Sequence, residues 1–173
     1  STLLVDTDDR DEQQQFVGII QKNNELLLQL ISDILDLAKI EANTIEFKPV
    51  EIKLKEFLEE IVRSMSIKVG EGVTLGCVPG LEPCVFSFDQ IRLTQLLANF
   101  VNNAIKYTEH GSIMLGYEIR PSEIEFSVTD TGVGMNEEVR AHVFDRFYKG
   151  NDFKQGTGLG LSICKSIVEQ MKG

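Results

Sequence analysis

QLLANFVNNAIKYT occupies residues 95–108 and carries two patterns at once. Leu96, Leu97, Phe100, Val101, Ala104 and Ile105, with Leu93 one turn earlier, recur in helical phase, so one face is built for burial. Asn99, Asn103 and Lys106 stand at i, i+4 and i+7 and share a different face. A solvated face is the plain reading of such a stripe. Against it, Asn is a poor helix former, and solvated faces normally use Glu, Lys and Gln. Carboxamide oxygens are hard ligands suited to Mg²⁺, and a Lys one turn on suits a phosphate. Asp89 stands where an N-cap belongs, ahead of a helix over 90–107.

Two glycine-bearing stretches follow. Asp130-Thr131-Gly132-Val133-Gly134-Met135 closes a strand. Its glycines allow a sharp turn and a close approach to a ligand, and a carboxylate at a strand end can accept from an exocyclic amine. An ordinary turn is the commoner source of DxGxG. Gly156-Thr157-Gly158-Leu159-Gly160-Leu161 leads into a helix, where backbone N–H groups make an anion site. It is not a P-loop, because no Gly-Lys-Ser/Thr follows, and its glycine spacing does not match the dinucleotide fingerprint.

Working outward, strands are expected over 47–54, 73–78, 84–88, 111–119 and 123–130, and helices over 55–69, 136–144 and 159–171. Strands and helices mix without regular βαβ alternation, which implies an α+β layered sandwich with a mixed sheet. The N-terminal part differs. Phe16, Ile20, Asn23, Leu27, Leu30, Ile34 and Leu37 step by four and three, with Ile19, Leu26, Ile31 and Leu35 widening the stripe. Such a helix wants partner helices, and a bundle between chains is preferred over a helix lying on its own domain. Asn23 in the seam would fix register. Residues 5–15 read as a polar loop or frayed start, and residues 1–5 as the tail of an earlier element.

The chain has 173 residues with 27 acidic and 17 basic, for a formal charge of −10. That balance argues against a nucleic-acid partner. No apolar run approaches the roughly 20 residues of a membrane span, so the chain is expected to be soluble with any anchor outside it. Cys77, Cys84 and Cys164 form no CxxC pair and read as reduced, mostly buried thiols. His110 and His142 read as surface or structural residues. A first residue other than Met suggests a fragment of a longer protein.

Asn-bearing helix, DxGxG, Phe144-Asp145-Arg146-Phe147 and GTGLGL come in that order. In this the chain resembles the ATP-binding catalytic domain of bacterial sensor histidine kinases, of the GHKL superfamily, whose N, G1, F and G2 boxes the four stretches look like. Residues 34–42, ILDLAKIEA, look like the end of the second helix of that family's dimerisation and phosphoacceptor hairpin. The resemblance implies a Bergerat-type two-layer α/β sandwich over 47–173 and a hairpin remnant over 1–46. It implies ATP and Mg²⁺ as cofactors. Asn103 would hold Mg²⁺ between the phosphates, with Asn99 beside it and Lys106 on phosphate. Tyr107 would lie against the nucleotide, Asp130 would take the adenine amine, and Gly132 and Gly134 would line its pocket. Gly156, Thr157, Gly158, Leu159 and Gly160 would wrap the triphosphate. Phe144 and Phe147 would anchor a lid, or serve simply as core anchors. Tyr148, Arg146 or Lys149 would reach the nucleotide, with Arg146 otherwise a surface ion pair.

The activity implied is transfer of the γ-phosphoryl group of ATP to a hairpin histidine and onward to a response-regulator receiver domain. The partners implied are that receiver, the phosphoacceptor helix and a second copy joined through the bundle helix, in the cytoplasmic portion of a membrane-anchored receptor. Hydrolysing relatives place a Glu base where Asn99 stands, and an amide cannot take a proton at neutral pH. The chain departs from the family in two ways. No Ser-His-Glu motif is present, so self-phosphorylation is not expected. The usual last two strands are missing, which would leave a sheet edge open. The lid over 148–155 is short. The alternatives are a catalytically silent nucleotide-binding interaction module and a serine/threonine kinase of the same superfamily.

Overall fold

The computed structural model describes residues 10–42, 44–149, 156–171 and 173. The expected tail at residues 1–5 and most of the lid, residues 150–155, lie outside the described residues.

Helix α1 runs Arg10–Glu41 and begins earlier than the apolar pattern indicates. The Gln-rich residues 13–15, read above as loop, are helical, because Gln and Glu extend a helix without needing a buried face. Strand β1 (Pro49–Lys53) pairs antiparallel with β3 (Val85–Asp89), from Pro49↔Asp89 to Lys53↔Val85. Strand β2 (Val73–Cys77) pairs parallel with β4 (Gly111–Ile119), and β4 pairs antiparallel with β5 (Ile124–Asp130). The mixed sheet is thus three-stranded, β2-β4-β5, and β1-β3 form a separate ribbon rather than extending it.

Helices α2 (Leu54–Met65) and α3 (Gln90–Tyr107) form the second layer. Leu54, Phe57, Leu58, Ile61 and Met65 of α2 meet Leu93, Leu97, Val101 and Ala104 of α3 over Ile113, Leu115 and Tyr117 of β4. A 3₁₀ turn, Ser66–Lys68, follows α2. Helix α5 spans Gly160–Gln170. Leu96 and Phe100, on another side of α3, join a second core with Leu159 just before α5, Ile163, Cys164 and Ile167 of α5, and Leu30 and Ile40 of α1. Among the described residues, no helix is long and apolar enough to cross a membrane.

Asp89 fixes the start of α3 as its position implies. Its Oδ1 accepts from the Arg92 amide at 3.0 Å and its Oδ2 from the Lys48 amide at 2.8 Å. Burial works against its ionisation, but the amides of Lys48, Arg92 and Ile91 and the Arg92 guanidinium outweigh it. The carboxyl is held below the usual range. One side chain thereby ties the β1 approach to the helix that carries the polar stripe.

Candidate functional site

Asn99, Asn103 and Lys106 are half-buried, not a solvated face. The glycine-rich segment before and into α5 lies along them. A Cβ on Gly160 would stand 3.3 Å from Asn99 Oδ1, and one on Gly156 would stand 3.3 Å from Lys106 Nζ. Asn99 Nδ2 donates to the Gly160 carbonyl and to Cys164 Sγ, both at 3.4 Å. Among the described residues the Asn103 carboxamide has no hydrogen-bond partner, so its oxygen is open as a ligand. Lys106 Nζ lies 4.9 Å from the centre of the Tyr107 ring.

The DxGxG stretch reaches the same end of α3. Val133 N donates to the Tyr107 carbonyl at 3.2 Å. A Cβ on Gly132 would collide with that carbonyl oxygen, so only glycine lets the turn sit against the helix end. Asp130 is exposed at the end of β5, and its Oδ1 accepts from the Gly132 amide at 2.9 Å, which leaves Oδ2 available. Gly134 has φ +67° and open space where a Cβ would go.

Helix α4 (Glu137–His142) is capped by Asn136, whose Oδ1 accepts from Val139 N at 2.8 Å. The Phe144–Phe147 stretch then meets the glycine loop through backbone. Phe147 N donates to the Gly158 carbonyl at 2.8 Å. Phe147 has φ 63° and Gly158 φ 73°, both left-handed. Phe144 and Phe147 are 43% and 63% exposed, which corrects the reading of them as core anchors. Phe147 holds the stretch through its backbone bond to Gly158 rather than by burial. Arg146 does not point to the stripe: its Nη1 pairs with Glu41 Oε1 at 2.5 Å. Tyr148 is half-buried, its ring centre 5.5 Å from that of His142, and Lys149 is exposed.

Three groups that the sequence reading passed over join the site. Asp33 of α1 is 3% exposed and accepts from the Thr157 hydroxyl and from Gln29 Nε2, each at 2.7 Å. Thr157 Oγ1 in turn accepts from Leu159 N at 3.2 Å, at the start of α5. Asp36 accepts from Arg92 Nη1 at 3.1 Å and Gln95 Nε2 at 2.7 Å, on α3 itself. Cys164 is buried beside Asn99. Burial pushes its thiol up to about 11, with the Asn99 bond working against the rise and the Asp33 charge adding to it. No apolar or glycine pattern marks any of the three.

Residues 88–173 match the family model "Histidine kinase-, DNA gyrase B-, and HSP90-like ATPase", and residues 1–43 match "His Kinase A (phospho-acceptor) domain". The nucleotide-free catalytic domain of histidine kinase ThkA superposes with a TM-score of 0.60 at 32% identity, over 72% of this chain and 81% of that one. The chain belongs to the histidine kinase family. A histidine kinase ThkA in complex with the response regulator TrrA matches over 96% of this chain and 47% of that one, with a TM-score of 0.73 and 25% identity. Full-length ShkA with AMPPNP matches at a TM-score of 0.76 and 30% identity, over 98% of this chain and 36% of that one. Two-component system protein A of Emericella nidulans is 35% identical over 99% of this chain. This histidine kinase segment spans 27% of that relative's length.

Proposed function

We propose that residues 47–173 are the ATP-binding catalytic domain of a two-component sensor histidine kinase and residues 1–46 part of its dimerisation and phosphoacceptor hairpin. The domain passes the γ-phosphoryl group of ATP to a hairpin histidine, for onward transfer to a receiver domain. The observation that carries this reading is the approach of Gly156 and Gly160 to Lys106 and Asn99, which lays an anion-binding backbone along a carboxamide stripe. The open Asn103 amide and the exposed Asp130 carboxylate at the same end of the fold fit a magnesium nucleotide.

Asn103 would give Mg²⁺ one hard oxygen ligand. Mg²⁺ held there would supply charge neutralisation to the phosphates. Lys106 adds a local cation against the phosphates, Gly158, Leu159 and Gly160 offer backbone groups, and the Thr157 hydroxyl reaches them only when released from Asp33. Asp130 selects adenine through its amine, with Gly132 and Gly134 lining that pocket and Tyr107 against the ring. Arg146 or Lys149 completes the phosphate contacts, Arg146 only after leaving Glu41, and Tyr148 lies near. Asn99 is no base: it is an amide, and its nitrogen is held by Gly160 and Cys164. Transfer by positioning is favoured over hydrolysis.

Neither His110 nor His142 lies on α1, so the acceptor histidine is supplied from elsewhere. Ile20, Leu27, Ile31, Ile34 and Leu35 are exposed along α1, which supports a bundle with a second hairpin helix in a homodimer. The parent would be a membrane-anchored receptor with this region on the cytoplasmic side. The ThkA complex with TrrA supports a response regulator as partner.

The test mixes the chain with labelled Mg-ATP and a separate hairpin segment bearing a Ser-His-Glu motif. Acid-labile label on that histidine is the expected result. Asn103→Ala and Asp130→Ala should each reduce labelling by roughly 10–100-fold, the value of a charge-assisted contact. Nucleotide binding with no label transferred by the parent chain would contradict the kinase reading.

A further inference from the structure

Asp33 is a buried carboxylate with no part in the chemistry described above. Burying a charge is costly unless it is fully hydrogen-bonded. Here two donors hold it, the Gln29 amide from its own helix and the Thr157 hydroxyl from the glycine loop. A threonine hydroxyl has one proton to give. In this arrangement that proton points at Asp33 Oδ2, while the Thr157 oxygen accepts from Leu159 N. The Thr157 side chain therefore presents no donor to a phosphate oxygen, and a carboxylate stands directly behind it. The contact is screened from solvent, so salt weakens the repulsion little.

We infer that Asp33 is a positioning residue for the glycine loop, lent by helix α1, that keeps the Thr157 proton from phosphate while α1 is docked. The inference rests on the nucleotide reading and deepens it. Docking of α1 and full engagement of the triphosphate compete for one proton. By reciprocity, a nucleotide that takes Thr157 weakens α1 docking by the same factor. Further ties of α1 to the domain are the Asp36 bonds to Arg92 and Gln95, the Glu41–Arg146 ion pair, Gln170 Nε2 on the Ile40 carbonyl at 2.9 Å, and the packing of Leu30 and Ile40 against α5. Binding of the nucleotide thus loosens helix α1 on the catalytic domain by the same roughly tenfold factor.

The experiment is a Mg-AMPPNP titration of the whole chain and its variants, followed by calorimetry. Asp33→Ala should bind about tenfold tighter than the parent, the worth of one charge-assisted bond, and Asp33→Asn a few-fold tighter. In a Thr157→Val background, Asp33→Ala should change the affinity less than about twofold. Asp36→Asn loosens α1 away from the loop and should tighten binding in the same direction, which keeps the test open if Asp33→Ala misfolds. Unchanged or weaker binding in Asp33→Asn and Asp36→Asn, or tightening that survives Thr157→Val, would overturn the inference. A parent chain that binds no AMPPNP would overturn the nucleotide reading and this inference with it.

Discussion

Asp89 shows how one side chain can hold a functional helix in place. It caps α3 and takes the Lys48 amide from the approach to β1. Its depressed carboxyl means that the folded state binds its proton less readily than the unfolded one. The stability it supplies is full above the unfolded value of about 3.9 and is lost as pH falls through the lower folded value. Asp89→Ala should cost about 2 kcal/mol at pH 7, one cap and one further hydrogen bond. Urea unfolding should show that deficit shrinking below about pH 4, as the parent protonates. A deficit that stays constant down to pH 2.5 would contradict the role. The cap and the Asn99–Asn103–Lys106 stripe were legible in the sequence, because residue type and helical spacing mark both. The surface ion pair given as the alternative for Arg146 is what the structure shows, but its partner Glu41 was not legible, because α1 lies alongside only in the fold. Asp33 was not legible either: an aspartate on a helix reads as solvated until another element closes over it.

At the scale of elements, α3 is the axis of the site, because it is buried on two sides. Leu93, Leu97, Val101 and Ala104 face the sheet and Leu96 and Phe100 face α5, which leaves the polar stripe between them. The turn after β5 must meet its C-terminal end without a side chain at Gly132. Gly132→Ala places a methyl against the Tyr107 carbonyl, so the turn must shift away. A loss of about 1–3 kcal/mol in thermal unfolding is expected, as for other overpacked contacts. Unchanged stability would show that the turn does not need to sit so close. Periodicity located α2, α3 and α5, which each bury a clear face, whereas α4 buries none and is marked by its Asn136 cap instead. Periodicity failed for α1 in two ways. The helix starts before its apolar pattern does, at Arg10. The side it docks on its own domain carries Asp33 and Asp36 beside Leu30 and Ile40, while much of the expected apolar seam is exposed. Hydrophobic spacing cannot reveal a face that docks through hydrogen-bonded carboxylates.

In the whole molecule, the four stretches that define the resemblance come from separate parts of the chain, and each touches another. Asn99 meets Gly160, Gly132 meets Tyr107, Phe147 meets Gly158, and Gly156 meets Lys106. The order of the stretches was readable from sequence, but their mutual contact was not, since it depends on α5 packing across α3. The division of β1-β3 from the mixed sheet was likewise hidden, because strand pairing is set by long-range register rather than by local pattern. The most direct measurement of a single magnesium-nucleotide site is backbone amide NMR of the isotopically labelled chain during Mg-AMPPNP addition. Joint, saturable shifts at Asn103, at Asp130 to Gly134 and at Gly158 to Gly160, with the Arg120 turn unmoved, are the expected result. Shifts confined to one of these stretches, or saturating at different nucleotide concentrations in each, would contradict a common site.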